Sequence, residues 1–484
     1  MVGITAAWIP ELITMGRAVA SIEPKTEQYD TGRAVLLAAV AALGGFLFGF
    51  DTAVINGAVL AIRETFGMGA GLTGFVVASA LLGCAVGAWL AGKLADRIGR
   101  IRVMLVAAVL FFLSAIGSGL AFSPYDLTFW RIVGGLGVGA ASVIAPAYIA
   151  EIAPAAIRGR LGSLQQLAIV SGIFVALLSD YFLATAAGGA NEDLWLGLAA
   201  WRWMFTTLTV PALAYGILAL QIPESPRYLM FRGRTEEAHS ALSQVLKSGV
   251  EDRIREISRT IVQDVHSTFR DLRGPFLGLL PIVWVGILLS VFQQFVGINV
   301  IFYYSSTLWQ QVGFTEADSL IITVLTSVTN IVVTLVAIAV IDKMGRRRLL
   351  LIGSAGMFVS LGTLAYVFGT APLVNGQPAL SDTAGTIALI AANAFVVFFG
   401  ISWGPTVWVL LGEMFNNRIR AAALGLAAAA QWISNFLIST TFPALADISL
   451  GLAYGLYTTF ALLSFFFVLR FVQETKGKQL EDMT

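Results

Sequence analysis

Twelve stretches of about twenty residues, each dominated by apolar side chains, leave most of this chain with lipid as its only suitable solvent. They begin near Ala34, Thr73, Val103, Leu127, Leu161, Trp201, Phe276, Leu320, Leu349, Thr386, Ala421 and Leu452, and a helix needs about 20 such residues to cross the hydrocarbon core. Only 12% of the residues are charged and 57% are apolar, against about a quarter charged in soluble domains. A net charge of +1 argues neither for nucleic acid nor for an acidic partner. The one cysteine, Cys84, sits in an apolar run, which excludes an intrachain disulfide and a cysteine metal cluster and makes it a small packing residue. The expected class is an all-α membrane protein with twelve transmembrane helices.

Basic residues test this layout, because they accumulate in cytoplasmic connections. Of the 30 Lys and Arg residues, all but Arg63, Arg131 and Arg202 fall in the N-terminal tail, the even-numbered connections, the central segment or the C-terminal tail. The opposite connections carry Asp126, Glu192, Asp193, Glu316, Asp318, Asp382 and Asp447. Both termini are therefore expected on the cytoplasmic side. The first thirty-odd residues lack the basic start and small-residue cleavage site of a signal peptide and read as a cytoplasmic tail, with Ala6 to Ile13 at most a short interfacial helix. From Glu224 to Arg273 runs a polar segment with both histidines, His239 and His266. The spacing of Leu242, Leu246, Ile254, Ile257 and Ile261 predicts short amphipathic helices there.

The two halves of the chain repeat each other. Asp96 and Arg100, in Ala95-Asp96-Arg97-Ile98-Gly99-Arg100, recur as Asp342 and Arg346. Glu151 with Arg158 recurs as Glu413 with Arg420, and Glu224 answers to Glu474. Three motifs in one order at nearly one offset predict a pair of parallel six-helix repeats, an architecture that binds its cargo near midplane between halves that rock. The expected layout is a tail at 1–33, a six-helix bundle at 34–222, an intracellular helical segment at 223–275, a second bundle at 276–472 and a tail at 473–484.

Polar side chains inside spans are expected to face a cavity or a partner. The eighth span carries Thr323, Ser327, Asn330 and Thr334 on one stripe, and the eleventh carries Gln431 and Asn435 beside Trp432. The seventh supplies Gln293, Gln294, Asn299 and Tyr303 around Gly297, the fifth Gln166, and the tenth Trp408 near Gly404-Pro405. Amides donate and accept hydrogen bonds, and tryptophan offers an apolar ring face, a combination that suits a sugar. No Arg, Lys or His stands at mid-depth in the later spans, so the expected ligand is neutral and hydroxyl-rich.

Asp51 is read as the only deep acid of the spans, in Gly49-Phe50-Asp51-Thr52. A lone carboxylate in lipid requires a proton or a cation close by, and Arg131 is the available cation. Each is expected about 10 Å or less beneath the outer end of its span at 1.5 Å per residue, near enough to pair. The expected cycle protonates Asp51 from outside, loosens its tie to Arg131, permits closure around the ligand and releases the proton inward.

The chain resembles the sugar porter family of the major facilitator superfamily from Leu36 to Asp482. The resemblance rests on Gly92-Lys93-Leu94-Ala95-Asp96-Arg97-Ile98-Gly99-Arg100, Pro223-Glu224-Ser225-Pro226-Arg227, Gln293-Gln294-Phe295-Val296-Gly297-Ile298-Asn299 and Glu474-Thr475-Lys476-Gly477. Asn416 departs from it, standing where the family usually has proline. The resemblance implies sugar contacts at Gln166, Gln293, Gln294, Asn299, Asn330, Trp408 and Gln431, with Trp432 and Tyr303 adjacent; Gly404, beside Trp408 in the tenth span, is counted with them. Facilitative members carry Asn at the position of Asp51, which favours proton coupling here. Some pentose carriers have glutamine where this chain has Ile173, a lean toward a hexose. The resemblance also implies a cytoplasmic ion-pair latch from Asp96, Arg100, Glu151, Arg158, Glu224, Asp342, Arg346, Glu413, Arg420 and Glu474, closing the inner side when the cavity faces out.

The expectation is a monomeric, proton-coupled symporter of a neutral monosaccharide in a bacterial plasma membrane, with lipid, sugar and proton as its partners. An uncoupled facilitator, a drug or organic-solute antiporter and a sugar sensor are the rivals. No metal-ligand set, no nucleophile with a base partner and no nucleotide-binding loop stands in the spans, so neither an enzyme nor a cofactor is expected.

Overall fold

A computed structural model describes residues 28–154, 157–263, 269–374, 377–415 and 419–475; the side chains of 159, 260–263, 269, 342, 373–374, 377–378 and 421 fall outside that description. Ala6 to Ile13, His266, Asn416, the Lys476-Gly477 end of the last motif, and the side chains of Ile261 and Asp342 therefore lie outside the described residues. The first span is α1 (Thr31–Ala53) continued by α2 (Ile55–Thr65), followed by α3 (Ala70–Ile98), α4 (Arg100–Gly119), α5 (Pro124–Ile152) and α6 (Arg158–Ala187). The sixth crossing is made by α7 (Ala200–Thr207) and α8 (Thr209–Ala219) in succession. Short helices α9 (Pro226–Phe231), α10 (Thr235–Ser243) and α11 (Val250–Gln263) come next.

The second set opens with α12 (Pro281–Phe295) and α13 (Ile298–Gln311), then α14 (Glu316–Met344) and α15 (Arg346–Gly369). Helix α16 (Asp382–Phe398) runs through a π-helical turn, Phe399–Trp403, into α17 (Gly404–Met414), before α18 (Arg420–Ile448) and α19 (Leu450–Phe471). Eleven of the crossings are long and apolar enough by themselves among the described residues, and α7 with α8 completes the twelve. Side-chain caps start several of them: Asp30, Ser123, Thr315, Ser381 and Ser449 each accept from the N–H three residues on, satisfying donors that a helix start leaves open.

Glycine decides how closely these helices approach. Along the first span, Gly45, Gly49 and Ala53 of α1 and Gly57 of α2 recur every four residues, and the three glycines face α6. A Cβ on Gly49 would stand 1.9 Å from the Ile169 carbonyl oxygen, and one on Gly172 2.0 Å from that of Phe46, so the two backbones touch. Helices α3 and α5 are joined likewise at Gly83, Gly87, Gly135 and Gly139. Gly297 has φ 84°, a left-handed conformation open to glycine at no steric cost. It ends α12 and restarts the span as α13, turning Gln293, Gln294 and Asn299 toward one region.

The basic connections lie on one face and the acidic ones on the other, and contacts between the two halves gather toward the acidic face. There a Cβ on Gly74 of α3 would lie 2.1 Å from the Thr440 carbonyl of α18, and Phe75 packs edge-on against Phe436. Asn56 Nδ2 donates to the Phe302 carbonyl at 2.9 Å, while Ser306 N–H and Oγ donate back to Asn56 Oδ1 and O at 3.1 and 2.6 Å. Arg63 pairs with Asp447 at 3.0 Å, and Glu316 accepts from Ala190 N–H at 2.8 Å. The acidic face is closed. On the basic face, Leu242, Leu246, Ile254 and Ile257 bury one another together with Tyr29, the amphipathic packing that their spacing predicts.

Gly49→Leu forces the α1 and α6 backbones apart and is expected to cost at least about 1–3 kcal/mol, the usual penalty of overpacking. Gly162→Leu, on the same α6 but facing open space, serves as the control. Thermal unfolding in detergent reads the difference: the first midpoint falls and the second holds.

Candidate functional site

Asp51 and Arg131 meet in the interior of the first bundle, each only 2% exposed. Arg131 Nη1 donates to the Asp51 main-chain carbonyl at 2.9 Å and reaches Oδ2 at 3.5 Å. The guanidinium is thus tied firmly to the backbone of α1 and only loosely to the carboxylate, since 3.5 Å is the limit of a hydrogen bond. The ring of Phe205 lies 5.9 Å from the guanidinium, and Arg131 Nε is sealed without a hydrogen-bond partner among the described residues. Gly134 leaves the niche open beside Asp51 Oδ1, where a Cβ would come within 3.0 Å.

Two sequence expectations are corrected here. The first span continues through Val54, which keeps helical angles, as far as Thr65, so Asp51 lies about 21 Å along the helix from that end rather than about 10 Å. Asp51 is also not the only deep acid. Asp180, on α6, is fully buried because that helix runs on to Ala187. The seven-residue spacing of Gln166, Ile173 and Asp180 puts all three on one face, a signal already present in the sequence.

In the second bundle the amides form a directed chain. Asn299 Nδ2 donates to Gln294 Oε1 at 2.5 Å, Gln294 Nε2 to Gln293 Oε1 at 3.4 Å, and Gln293 Nε2 to the carbonyls of Trp403 and Gly404 at 2.9 and 3.3 Å. The carbonyl acceptors border the π-helical turn, a distortion common at functional positions. Tyr303 is buried on α13, and Asn435 Oδ1 accepts from Ser439 Oγ at 3.1 Å. Trp432 stands ring to ring with Phe48 of α1, 6.1 Å between centroids, bringing the two halves together at this depth. Asn330 lies beside Gly400, its Oδ1 3.7 Å from where a Cβ would be.

Gln166 is exposed, Trp408 is 45% exposed and Gln431 is half-buried with Oε1 unpartnered; none of the three hydrogen-bonds the network among the described residues. Two cavities lie apart from it. One, between α13 and the helices beyond it, is lined by Val300, Ser305, Trp309, Leu364 and Tyr454; the other, near the acidic face, by Arg63, Tyr304, Thr307 and Gln311. The first lining is largely apolar and suits a sugar poorly. The amide network has the better chemistry for a hydroxylated ligand.

On the basic face the two repeats match bond for bond. Arg100 grips Glu151 through Nε and Nη2 at 3.0 and 2.9 Å, and Arg346 grips Glu413 at 3.1 and 2.7 Å. Glu224 accepts from the N–H groups of Arg100 and Ile101 at 2.9 and 3.2 Å, as Glu474 does from Arg346 and Arg347 at 2.9 and 3.1 Å. Ser225 donates to Glu151 and Thr475 to Glu413. Gly99 and Gly345, both at positive φ, leave room for the two carboxylates. Asp96 meets Arg100 at 3.3 Å, Arg420 donates to the Phe415 carbonyl, and Arg158 lies half-buried at the start of α6. These bonds tie helices within each half.

Two pseudo-equivalent helical bundles around mid-depth polar groups, one face shut and charged networks bracing the other, define a membrane transporter rather than an enzyme. The chain belongs to the family described as "Sugar (and other) transporter", whose profile matches residues 37–484. It is 61% identical to the glucose transport protein of Synechocystis sp. over 465 residues, 96% of this chain and 99% of that one. To the D-xylose-proton symporter of Escherichia coli it is 37% identical over 490 aligned positions, 94% and 96% of the two chains. Its fold matches the partially occluded inward-open conformation of the E. coli xylose transporter XylE with TM-score 0.79 at 36% identity, covering 93% of this chain and all of the other. The closed acidic face agrees with that conformation.

Glu413→Lys sets a positive charge against Arg346. A latch or brace that transport depends on predicts lost uptake with normal membrane insertion, measured by surface labelling beside a sugar-uptake assay; unchanged uptake leaves the acid only a bystander to chain orientation.

Proposed function

We infer that this protein is a proton-coupled symporter of a neutral monosaccharide, working by alternating access, with a hexose such as glucose as its favoured cargo. The observation that carries the reading is full-length likeness to a glucose transport protein at 61% identity together with likeness to a D-xylose-proton symporter. Ile173 in place of a polar side chain supports the hexose over a pentose such as xylose. Basic connections on one face support a bacterial plasma-membrane protein with both termini cytoplasmic. The acidic face is then external, and the structure is outward-closed. One chain contains the whole path proposed, so a monomer suffices.

In this reading the sugar replaces the bonds that the amides make to one another. Gln293, Gln294 and Asn299 turn from mutual pairing to sugar hydroxyls, with Tyr303, Asn330, Gly404, Trp408, Gln431 and Trp432 around them and Gln166 facing them from the first bundle. Asp51 takes up a proton from outside, which cancels its attraction to Arg131. Because Arg131 keeps its stronger bond to the main-chain carbonyl, protonation loosens the pair without releasing the cation into lipid. Closure around sugar then becomes permissible, and the proton leaves inward with the cargo. Asp96, Arg100, Glu151, Arg158, Glu224 and their counterparts Asp342, Arg346, Glu413, Arg420 and Glu474 hold each half rigid while it rocks, and the latch between halves belongs to the opposite state.

Asp51→Asn keeps the shape and removes the titrating group. It is expected to abolish uphill accumulation, with the internal-to-external sugar ratio falling to unity, while sparing counterflow in vesicles. A variant that still concentrates glucose under an imposed pH gradient removes Asp51 from the coupling and favours an unassisted role for the pair.

A further inference from the structure

Asp180 lies seven residues before the end of α6, about 10 Å along the axis from the external surface. It is fully buried. Oδ2 accepts a long bond, 3.3 Å, from the N–H of Gly57, while Oδ1 is sealed from solvent with no hydrogen-bond partner among the described residues. Gly57 exists as a gap for this carboxyl, since a Cβ there would sit 2.8 Å from it.

The charges on every element packed against α6 are occupied elsewhere or far away. Helix α1 brings Arg33, bonded to Gln244, and Asp51 with Arg131; α2 brings Arg63, paired with Asp447, and Glu64, accepting from Asn191. Helix α5 adds Asp126, accepting from Phe122 N–H, and Glu151, held by Arg100. Arg202 of α7 donates to the carbonyls of Gly119 and Ala121. On α14, Glu316 and Asp318 bond Ala190 and Thr315, and Lys343 stands at the opposite end; Asp193, in the short strand Asp193–Trp195, is exposed. Among the described residues, an ionised carboxyl in this niche has a bare oxygen and no counter-charge, the costliest form in which to bury it.

Position gives the niche its meaning. Gly57 follows Asn56, whose three bonds to Phe302 and Ser306 clasp the halves together on the external side. Along the same face of α6, Gln166 is exposed, Ile173 half-buried and Asp180 sealed, so the face runs from open to shut toward the clasp. We propose that Asp180 is a second proton site, distinct from Asp51, and that the external side closes over it only when it carries a proton. The proton comes from external water while α13 of the second half stands away from Asn56, and it returns there on reopening. Asp180 therefore gates the switch without adding to the protons carried per sugar. The inference rests on the alternating-access reading above.

Spin labels at Gly71→Cys and Ile448→Cys, on the external ends of α3 and α18, read closure as an inter-label distance across a pH series in the full protein without sugar. On an Asp51→Asn background, which removes the other titrating acid, the short-distance population is expected to be lost at alkaline pH, and the same background with Asp180→Asn added is expected to retain it throughout. A doubly substituted profile that coincides with that of Asp51→Asn alone overturns the proposal, as does an Asp51→Asn distance that ignores pH. Should Asp180→Asn not fold, Gly57→Ala, which crowds the carboxyl, is expected to move the alkaline midpoint; an unmoved midpoint is equally contradictory. Distance needs no coupling, so failure here leaves the accumulation test of Asp51 independent.

Discussion

A carboxylate and a guanidinium set deep in a bilayer must hold each other, and the meeting of Asp51 with Arg131 is the constraint around which the first bundle is arranged. Removing one partner of such a pair costs about 3–5 kcal/mol because the other is left charged in a poor solvent. The geometry divides the hold unequally, with the main-chain carbonyl at 2.9 Å and the carboxylate oxygen at 3.5 Å. A group held in this way can lose its charge without the helices losing their anchor. That property is what a proton-responsive element needs.

The rest of the molecule makes such a small event matter. Backbone contacts at Gly49, Gly172, Gly83 and Gly135 join helices within the first half so closely that they move together. The matched networks of Glu151 with Arg100 and Glu413 with Arg346 fasten the basic ends of both halves in the same manner. Motion is left to the boundary between the halves, where the approach of Gly74 to Thr440 and the ring pair of Phe75 and Phe436 are accompanied by a few polar bonds: Asn56 to α13, Arg63 to Asp447, Ala190 to Glu316. Rigid bodies with a bistable seam are the physical requirement for rocking.

Much of this was legible in the residues. Span count follows from apolar length, and the repeated Asp96, Glu151 and Glu224 motifs foretold two halves whose charged networks coincide. Gly297 foretold the break that gathers Gln293, Gln294 and Asn299. Other features were hidden because they depend on where a helix actually stops. The continuation through Val54 carries the first span on to Thr65, past the end that its apolar length suggests, and the run of α6 to Ala187 leaves Asp180 seven residues inside the helix and buried. Asn56 reads as an ordinary polar residue in a span until the backbone of α13 is seen to accept its amide. Nothing in local sequence reports that kind of contact between distant helices.

Proton movement accompanying sugar is the claim on which the account stands, and it is open to direct observation. Glucose added to an anaerobic, weakly buffered suspension of de-energised cells making this protein is expected to alkalinise the medium transiently, as protons enter with the sugar. Glucose entry at an undiminished rate with no change in external pH contradicts symport.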